Sequence, residues 1–251
     1  MAGGAADERS VAARVFAVAD AFERGGELTL SEVARRAGLP VSTTHRLLAE
    51  WVQWGGLVRG EDGRYRVGIK LWKLGVRQPT ARRLREAALP YLEDLLEATG
   101  EHVHLAVRDD LNAVYLERFS GEGAVPVISD VGTVLPLHAT GVGLVLLAYA
   151  PADVFDAVME ARPRKFLPNT LTGEQELRER LASIRATGLS VSVEEMTRGA
   201  FSVAAPVRDS TGAVVAAVSI IASAGRVNEP QFALGVRMAA RGISAALGYA
   251  R

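Results

Sequence analysis

The segment that begins at Thr29 restricts the fold more than any other part of the sequence. Thr29 and Glu32 match a helix-start pattern in which the side chain of each accepts a hydrogen bond from the backbone amide of the other. Gly38 is suited to end this helix after about two turns, because glycine readily adopts the left-handed backbone that closes helices. After the short connection to Pro40, helical spacing of apolar residues resumes over residues 41–54. Two helices joined by so short a turn predict a helix-turn-helix.

Elements on either side extend this pattern. Upstream, apolar residues recur at helical spacing from Val11 to Phe22, which predicts a first helix that Gly25-Gly26 ends. Downstream, the spacing changes to alternation, and two short strands flank the turn residues Asp62-Gly63. Three helices followed by a hairpin predict a winged helix-turn-helix over residues 1–68.

Polar residues occupy the start of the third predicted helix and the arms of the hairpin. Serine and threonine compete with helical backbone hydrogen bonds, so a cluster of them at a helix tip suggests contact with another molecule. In a winged helix-turn-helix the third helix enters the major groove of DNA, and a basic hairpin lies along the phosphates. We therefore predict that double-stranded DNA is bound by Ser42, Thr43, His45, Arg46, Arg59 and Arg64. In the alternative, Ser42 only caps the helix and Arg46 is only solvated.

The distribution of charge agrees with a polyanionic partner. The formal net charge of the chain is zero, but eight basic and three acidic residues lie between Arg35 and Lys73, which gives this window a charge of +5. Residues 81–251 carry a charge of −3. A basic segment in an otherwise mildly acidic chain is typical of nucleic-acid binding, and a merely solvated surface is the alternative.

The remainder of the chain predicts a second domain of helices and antiparallel strands. Residues 69–80 combine a short amphipathic helix with a break before Pro79, and we expect them to form a linker helix between the domains. Residues 81–251 begin with a long helix, contain two hairpins and finish with an amphipathic helix over 229–248. We expect an α+β domain in which the helices lie on one side of an antiparallel sheet.

No arrangement typical of catalysis is apparent. His138 precedes a predicted helix start, and Glu194 is adjacent to Glu195, but neighbouring residues of a strand point to opposite faces and do not form an acid–base pair. The chain has no nucleophile-elbow motif and no Cys, which excludes thiol catalysis, a disulfide scaffold and a Cys-ligated zinc site. His102 and His104 share a strand face; this permits a metal, but we expect both at the surface. We predict no catalytic residue, no metal and no cofactor.

The sequence also bears on where the protein acts. Its N-terminus has neither the basic nor the apolar region of a signal peptide, and its longest apolar runs are shorter than the roughly 20 residues of a membrane span. We expect a cytoplasmic protein without a membrane partner.

These motifs resemble a known family. The run LSEVARRAGLPVSTTHRLLAEWVQWGGLVRGEDGRYRVGIKLWKLG, residues 30–75, is similar to the DNA-binding domain of the isocitrate lyase regulator (IclR) family of bacterial transcription factors. The resemblance continues through PLHATGVG, VEEMTRGAFSVAAPV and GAVVAAVSI, so it covers nearly the whole chain. It implies a GAF-like effector-binding domain over residues 81–251, a homodimer or dimer of dimers, and a palindromic operator.

The resemblance also implies where a small-molecule effector binds. It places the pocket at the start of an apolar helix and on two strands, at Gly141, Val142, Ala200, Ser202, Ser219 and Ile221. Amides exposed in the first turn of that helix would attract a carboxylate. Where the family often has Cys, a second Ser and Lys, this chain has Ser202, Ile221 and Leu144, and the family's Asp is absent near Ser192. With few polar groups left, we expect the effector to be a small organic acid with an apolar or aromatic body.

The sequence therefore favours a ligand-responsive DNA-binding regulator, and we expect it to repress a catabolic operon. The alternative is an enzyme or metabolite-binding protein in which the winged helix serves only dimerisation or protein contacts.

Overall fold

The structure is a computed structural model that describes residues 9–23, 25–121, 125–226 and 228–250. The chain divides into two compact units, Met1–Arg82 and Arg83–Arg251. Within the described ranges, every helix is too short or too polar to cross a membrane.

The N-terminal unit has the helices and the hairpin of the predicted winged helix-turn-helix. Its elements are α1 Val11–Asp20, α2 Leu30–Ala37, α3 Val41–Trp54, β1 Leu57–Arg59, β2 Tyr65–Val67 and α4 Ile69–Gly75. The predicted end of the first helix at Gly25-Gly26 was wrong. After Asp20 the amides of Phe22 and Glu23 bond to carbonyls three residues back instead of four, so the chain continues as turns.

The helix-turn-helix depends on the signals at both ends of α2. The amide of Thr29 donates to Glu32 Oε2 at 2.8 Å, and the amide of Glu32 donates to Thr29 Oγ1 at 3.3 Å, which confirms the reciprocal cap. Gly38 has a φ of 62°, in the left-handed region, and the amide of Leu39 closes the turn on Ala34 O at 3.0 Å. The turn thus directs the chain into α3 within three residues.

The core of this unit lies between its helices and the hairpin. Val18, Phe22, Leu48, Leu57 and Tyr65 are among its buried side chains. The backbones of Leu28 and Tyr65 exchange hydrogen bonds of 2.9 and 2.7 Å, which fixes the hairpin against the segment before α2. The third helix and the hairpin are therefore held by one hydrophobic core.

The C-terminal unit is built on one antiparallel sheet. Its strands are β3 His102–Asp109, β4 Asn112–Phe119, β5 Val134–Pro136, β6 Ser190–Val193, β7 Ala200–Arg208 and β8 Val214–Ser223. They lie in the order β5-β4-β3-β8-β7-β6, with every neighbouring pair antiparallel. The helices are α5 Pro79–Thr99, which begins before the unit boundary, α6 Gly141–Ala148, α7 Ala152–Glu160, α8 Glu174–Thr187 and α9 Glu229–Ala246.

Helices cover both faces of the sheet. Val203, Val218 and Ile220 belong to the core formed with α5 and α9. Alternate residues of the same strands, Ala204 and Ala217, belong to a second core with α6 and α8. The α+β class is confirmed, but the expectation of helices on one side was wrong. The small side chains make room for α6, whose eight residues are all buried and apolar, as expected of a helix enclosed on all sides.

Candidate functional site

The start of α3 presents the predicted polar residues to solvent. Ser42, His45 and Arg46 are exposed and Thr43 is half-buried. Within the described ranges none of these four side chains makes a hydrogen bond or an ion pair. Pro40 occupies the cap position, and no side chain caps the helix, so Ser42 is not used as a cap. Four side chains without a polar partner among the described residues are free to bond to another molecule.

The inward face of α3 explains this orientation. Thr44 is fully buried, and its hydroxyl donates to Pro40 O at 3.0 Å. Leu47 and Leu48, three and four residues further along, are buried on the same face of the helix. Packing of these three side chains turns the predicted DNA-binding residues away from the core.

The two hairpin arginines differ in their contacts. Arg59 is exposed and has no ion pair with any residue that the structure describes; it lies beside the Tyr65 ring, 5.7 Å from the ring centroid. Arg64 donates to Glu27 O at 3.1 Å and lies 3.6 Å from Glu32 Oε2. The pKa of Glu32 is lowered, mainly by hydrogen bonds from Thr29, with the charge of Arg64 acting in the same direction. Arg64 is therefore engaged within its own domain, whereas Arg59 is available to an external anion.

In the C-terminal unit, the six residues predicted to contact an effector line one cavity of about 50 Å³. Gly141 and Val142 belong to the first turn of α6. Ala200 and Ser202 lie on β7, and Ser219 and Ile221 lie on β8. The structure thus brings together residues that are far apart in the sequence, while their role in binding stays a prediction.

The register of β7 and β8 explains how the two serines meet. Ser202 pairs with Ile221, and Ala204 pairs with Ser219, so the side chains of Ser202 and Ser219 are diagonal neighbours on one face. Both are buried, with exposed fractions of 9% and 1%. The hydroxyls of Ser202 and Ser219 therefore line the same side of the cavity.

The start of α6 supplies backbone donors beside these hydroxyls. Thr140 is the N-cap, since its hydroxyl accepts the amide of Gly143 at 3.0 Å and its carbonyl accepts the amide of Leu144 at 2.8 Å. The amides of Gly141 and Val142 precede the first intrahelical hydrogen bond and have no partner within the helix. They are the donors that the N-terminus of α6 offers to an anion.

His102 and His104 are buried, and the expectation that they lie at the surface was wrong. His102 Nε2 is 2.8 Å from Val125 O, and His104 Nε2 is 3.4 Å from Ser129 Oγ. The two rings thereby hold residues 125–129, of which residues 127–129 form a wall of the cavity. Alternation of polar and apolar residues suggested an exposed strand face, but here both faces of the strand are covered.

The surroundings of His104 keep its ring neutral. Burial lowers the pKa of His104 to about 3, with the neighbouring His102 and Arg118 acting in the same direction. The Tyr115 ring meets it edge-to-face at a centroid distance of 5.2 Å, and burial raises the pKa of the Tyr115 hydroxyl. Tyr115 and Ser129 also line the cavity, and no motif in the sequence indicated either of them.

The sequence suggested that Glu194 and Glu195 lie on a strand, but they follow the end of one. β6 ends at Val193, and Glu194 has a φ of 51°, which turns the chain sharply. Glu194 Oε1 accepts the amide of Gly199 at 2.6 Å.

Glu195 points inward, and its Oε1 lies 3.0 Å from Arg180 Nη1. Burial raises the pKa of Glu195, opposed by the charge and hydrogen bond of Arg180. Glu195 also lines the cavity, which could not be inferred without the turn at Glu194.

Other residues considered for catalysis have structural partners. His138 Nε2 is 2.9 Å from Arg164 O, and burial lowers the pKa of the His138 ring. The part of the chain that the structure describes contains no group of three or more His, Asp or Glu side chains that could hold a metal ion.

Comparisons with known proteins agree with this arrangement. The family model of the IclR helix-turn-helix domain matches residues 11–61, and that of the bacterial transcriptional regulator IclR C-terminal domain matches residues 79–245. The HTH-type transcriptional regulator XynR of Escherichia coli (strain K12) is 32% identical over 243 residues, which cover 94% of this chain and 96% of that protein. The HTH-type transcriptional repressor AllR of Klebsiella pneumoniae is 32% identical over 230 residues, which cover 89% of this chain and 84% of that protein.

A solved structure shares both the fold and the sequence. The crystal structure of an IclR homolog from Microbacterium hydrocarbonoxydans, complexed with 4-hydroxybenzoate, superposes with a TM-score of 0.88 at 37% identity. The match covers 95% of this chain and 99% of that one. With both domains matched in sequence and the fold matched over nearly its full length, the protein belongs to the IclR family of bacterial transcriptional regulators.

Proposed function

We propose that this regulator represses transcription by binding a palindromic operator, and that a small organic acid in the C-terminal cavity alters its affinity for that operator. The observation that carries the proposal is the cavity, in which the first-turn amides of α6 meet the hydroxyls of Ser202 and Ser219. Backbone amides at a helix start and buried hydroxyls are donors suited to a carboxylate.

The remaining walls of the cavity suit an apolar body. Leu135, Val142, Met196 and Ile221 contribute hydrophobic side chains. Because polar contacts fix the orientation of a ligand while apolar walls enclose it, an acid with an aromatic or extended apolar body matches the chemistry of this lining better than a very small, highly polar acid. The cavity of about 50 Å³ would widen to admit it. The related protein from Microbacterium hydrocarbonoxydans, which binds 4-hydroxybenzoate, supports the choice of aromatic acids as first candidates.

On the DNA side, we assign base and phosphate contacts to different residues. Ser42, Thr43, His45 and Arg46 at the start of α3 would read the major groove, where an arginine can bind guanine in a bidentate manner. Arg59 on the hairpin would bind phosphate. Arg64 would contribute less than the sequence suggested, since its guanidinium is already engaged by Glu27 and Glu32.

We also propose that the protein binds DNA as a dimer, alone or within a dimer of dimers. Two helices carry large apolar residues with exposed fractions of 61–63%: Val11 and Phe16 on α1, and Ile69 and Trp72 on α4. Exposed apolar side chains of this size favour burial against a second copy, and a two-fold dimer would match a palindromic operator. The DNA-binding domain would then comprise residues 1–68, the linker helix residues 69–80, and the effector-binding domain residues 81–251.

No observation favours the enzyme alternative. His138 is occupied by Arg164 O, and the relatives are named as regulators or repressors. We propose that the protein acts by binding alone.

Fluorescence anisotropy with the full-length protein tests the proposal. A labelled palindromic duplex from the protein's own upstream region should be bound far more tightly than a random duplex of equal length, with an affinity that falls steeply as salt rises. Addition of 4-hydroxybenzoate or a related acid should change the affinity for the palindrome. Equal affinity for palindromic and random duplexes would contradict the operator assignment, and operator binding unaffected by any acid of a broad panel would contradict the sensor.

A further inference from the structure

Glu195 lines the cavity, and one oxygen of its buried carboxylate has no partner among the described residues. Its side chain is only 2% exposed, and Oε1 pairs with Arg180 Nη1 at 3.0 Å. Oε2 has no hydrogen-bond partner among the described residues. Ser192 lies close enough to favour the charged form of Glu195, but its hydroxyl does not reach Oε2 in hydrogen-bonding geometry. Buried polar atoms in folded proteins are nearly always satisfied, so this oxygen calls for a donor that enters the cavity.

Glu195 is held through both its carboxylate and its backbone. Arg180 donates to Glu195 Oε1 and also to Val191 O at 2.7 Å, so its guanidinium is anchored to β6. The hydroxyl of Thr170 donates to the backbone carbonyl of Glu195. An acceptor fixed in this way loses little conformational freedom when a ligand binds, which favours its use in recognition.

The chemistry around Glu195 differs from that at the start of α6. The amides of Gly141 and Val142 and the hydroxyl of Ser202 can all donate hydrogen bonds to an anionic group. As a carboxylate, which the charge of Arg180 favours, Glu195 can only accept at Oε2. Because Arg180 already balances the charge of Glu195, a neutral donor suits this position better than a second cation. The neutral donor with the smallest volume is a hydroxyl group.

We propose that Glu195 is a specificity-determining residue of the cavity, which selects hydroxylated organic acids by accepting a hydrogen bond from the ligand hydroxyl at Oε2. This proposal rests on the proposed function, since it takes the cavity as the effector site. It narrows the effector class from organic acids in general to acids with a carboxylate at one position and a hydroxyl at another.

Matched ligands test the proposal without changing the protein. Isothermal titration calorimetry on the full-length protein compares 4-hydroxybenzoate and 3-hydroxybenzoate with benzoate, which lacks the hydroxyl, and with 4-methoxybenzoate, which cannot donate. A hydroxyl that donates to a buried carboxylate should make the affinity roughly ten-fold or more higher than that of benzoate and of 4-methoxybenzoate.

Matched variants connect the preference to Glu195. In E195Q, Arg180 retains a carbonyl oxygen to bind, and the amide NH₂ group that replaces Oε2 can donate to a ligand oxygen but cannot accept. The preference for 4-hydroxybenzoate over 4-methoxybenzoate should therefore fall to nearly none. E179Q is the control, since Glu179 is exposed on α8 and is not among the residues that line the cavity, so its loss should leave the hydroxyl preference intact. If E195Q lowers the thermal unfolding midpoint too far for calorimetry, E195D retains the charge for Arg180 and withdraws the carboxylate by one methylene, with the same expected loss of preference.

The outcomes separate the two proposals. Binding of hydroxylated and unhydroxylated acids with equal affinity would overturn the role of Glu195 and leave the effector cavity in place. A preference for 4-hydroxybenzoate over 4-methoxybenzoate that survives in E195Q or E195D would also overturn it. Failure of every acid to bind would overturn the cavity as the effector site, and the role of Glu195 with it.

Discussion

Gly141 and Ser202 approach so closely that a Cβ atom on Gly141 would lie 2.8 Å from Ser202 Oγ. The Ser202 hydroxyl therefore occupies the space that a side chain at residue 141 would fill. This contact sets the spacing between the first-turn amides of α6 and the serine hydroxyl, the two kinds of donor that we assign to the effector carboxylate.

Gly141→Ala should weaken binding of the effector acid. The new methyl group would displace the Ser202 hydroxyl, which is the end of a short rotor and can turn away. Loss of a hydrogen bond to a charged group costs about 1.5–3 kcal/mol, so calorimetry with 4-hydroxybenzoate should show an affinity at least roughly ten-fold lower. Ser202→Ala should have a similar effect, and the double variant should add little to either, because both changes remove the same contact.

Two controls accompany these variants. In Gly225→Ala the new methyl group has no heavy atom of the described residues within 4 Å, so this variant should bind the acid as the wild type does. Operator affinity without ligand should be the same in all variants. If Gly141→Ala and Ser202→Ala bind the acid with full affinity, the carboxylate does not lie between α6 and β7.

Arg46→Ala and Arg59→Ala should affect DNA binding in different ways. Arg46 is exposed at the tip of α3, and loss of a base contact would cost about 1–3 kcal/mol for the operator while sparing random DNA. Arg59 would bind phosphate, so its loss should weaken operator and random DNA alike and reduce the salt slope by about one unit. Anisotropy titrations over a range of salt concentrations distinguish the two patterns. Arg241, which is exposed on α9, provides the control substitution, and equal operator affinity in all three variants would refute the DNA-binding surface.

Trp72→Glu should disrupt the dimer. The Trp72 side chain is 61% exposed on α4, where burial against a second copy would stabilise association and a buried unpaired carboxylate would oppose it. Multi-angle light scattering should show a dimer or tetramer for the wild type and smaller species for the variant. Affinity for the full palindrome should fall more than affinity for a half-site. A wild-type protein that is monomeric at micromolar concentration would exclude the proposed assembly.

The sequence was most informative where local signals determine the structure. The reciprocal cap of Thr29 and Glu32, the left-handed Gly38 and the Asp62-Gly63 turn act within a few residues, and the bounds of α3 and the hairpin follow from them. The six cavity residues were named through a family resemblance, and the structure shows them around one cavity.

The sequence was least informative where long-range packing decides. His102 and His104 alternate with apolar residues as surface residues do, yet both are buried, and their rings contact Val125 and Ser129. Glu195 is a second example, because its burial depends on the sharp turn at Glu194 and on Arg180, fifteen positions earlier in the chain. Neither effect has a local signature, since each needs a partner that only the folded chain brings near.

The buried ring of His104 should make the stability of the protein depend on pH. Burial lowers the pKa of His104 from 6.5 to about 3. Between these values the unfolded chain binds the proton and the folded chain does not, so the stability contributed by the neutral ring is present above about pH 6.5 and is lost as the pH falls toward 3. A single proton contributes at most about 1.4 kcal/mol of unfolding free energy for each pH unit in this window.

Urea unfolding at about pH 7.5 and about pH 5 measures this loss. His104→Gln retains an amide that can bond to Ser129 but cannot be protonated in this range, so the variant should lose less unfolding free energy between the two pH values than the wild type. For each protein, the unfolding free energy at the lower pH is subtracted from that at the higher pH, and these differences are compared. This is necessary because loss of the ring contact with Tyr115 lowers the stability of the variant at both pH values. His138, whose pKa is also lowered by burial, contributes the same dependence to both proteins and cancels. An identical loss in wild type and variant would show that His104 is protonated as readily in the folded protein as in the unfolded chain.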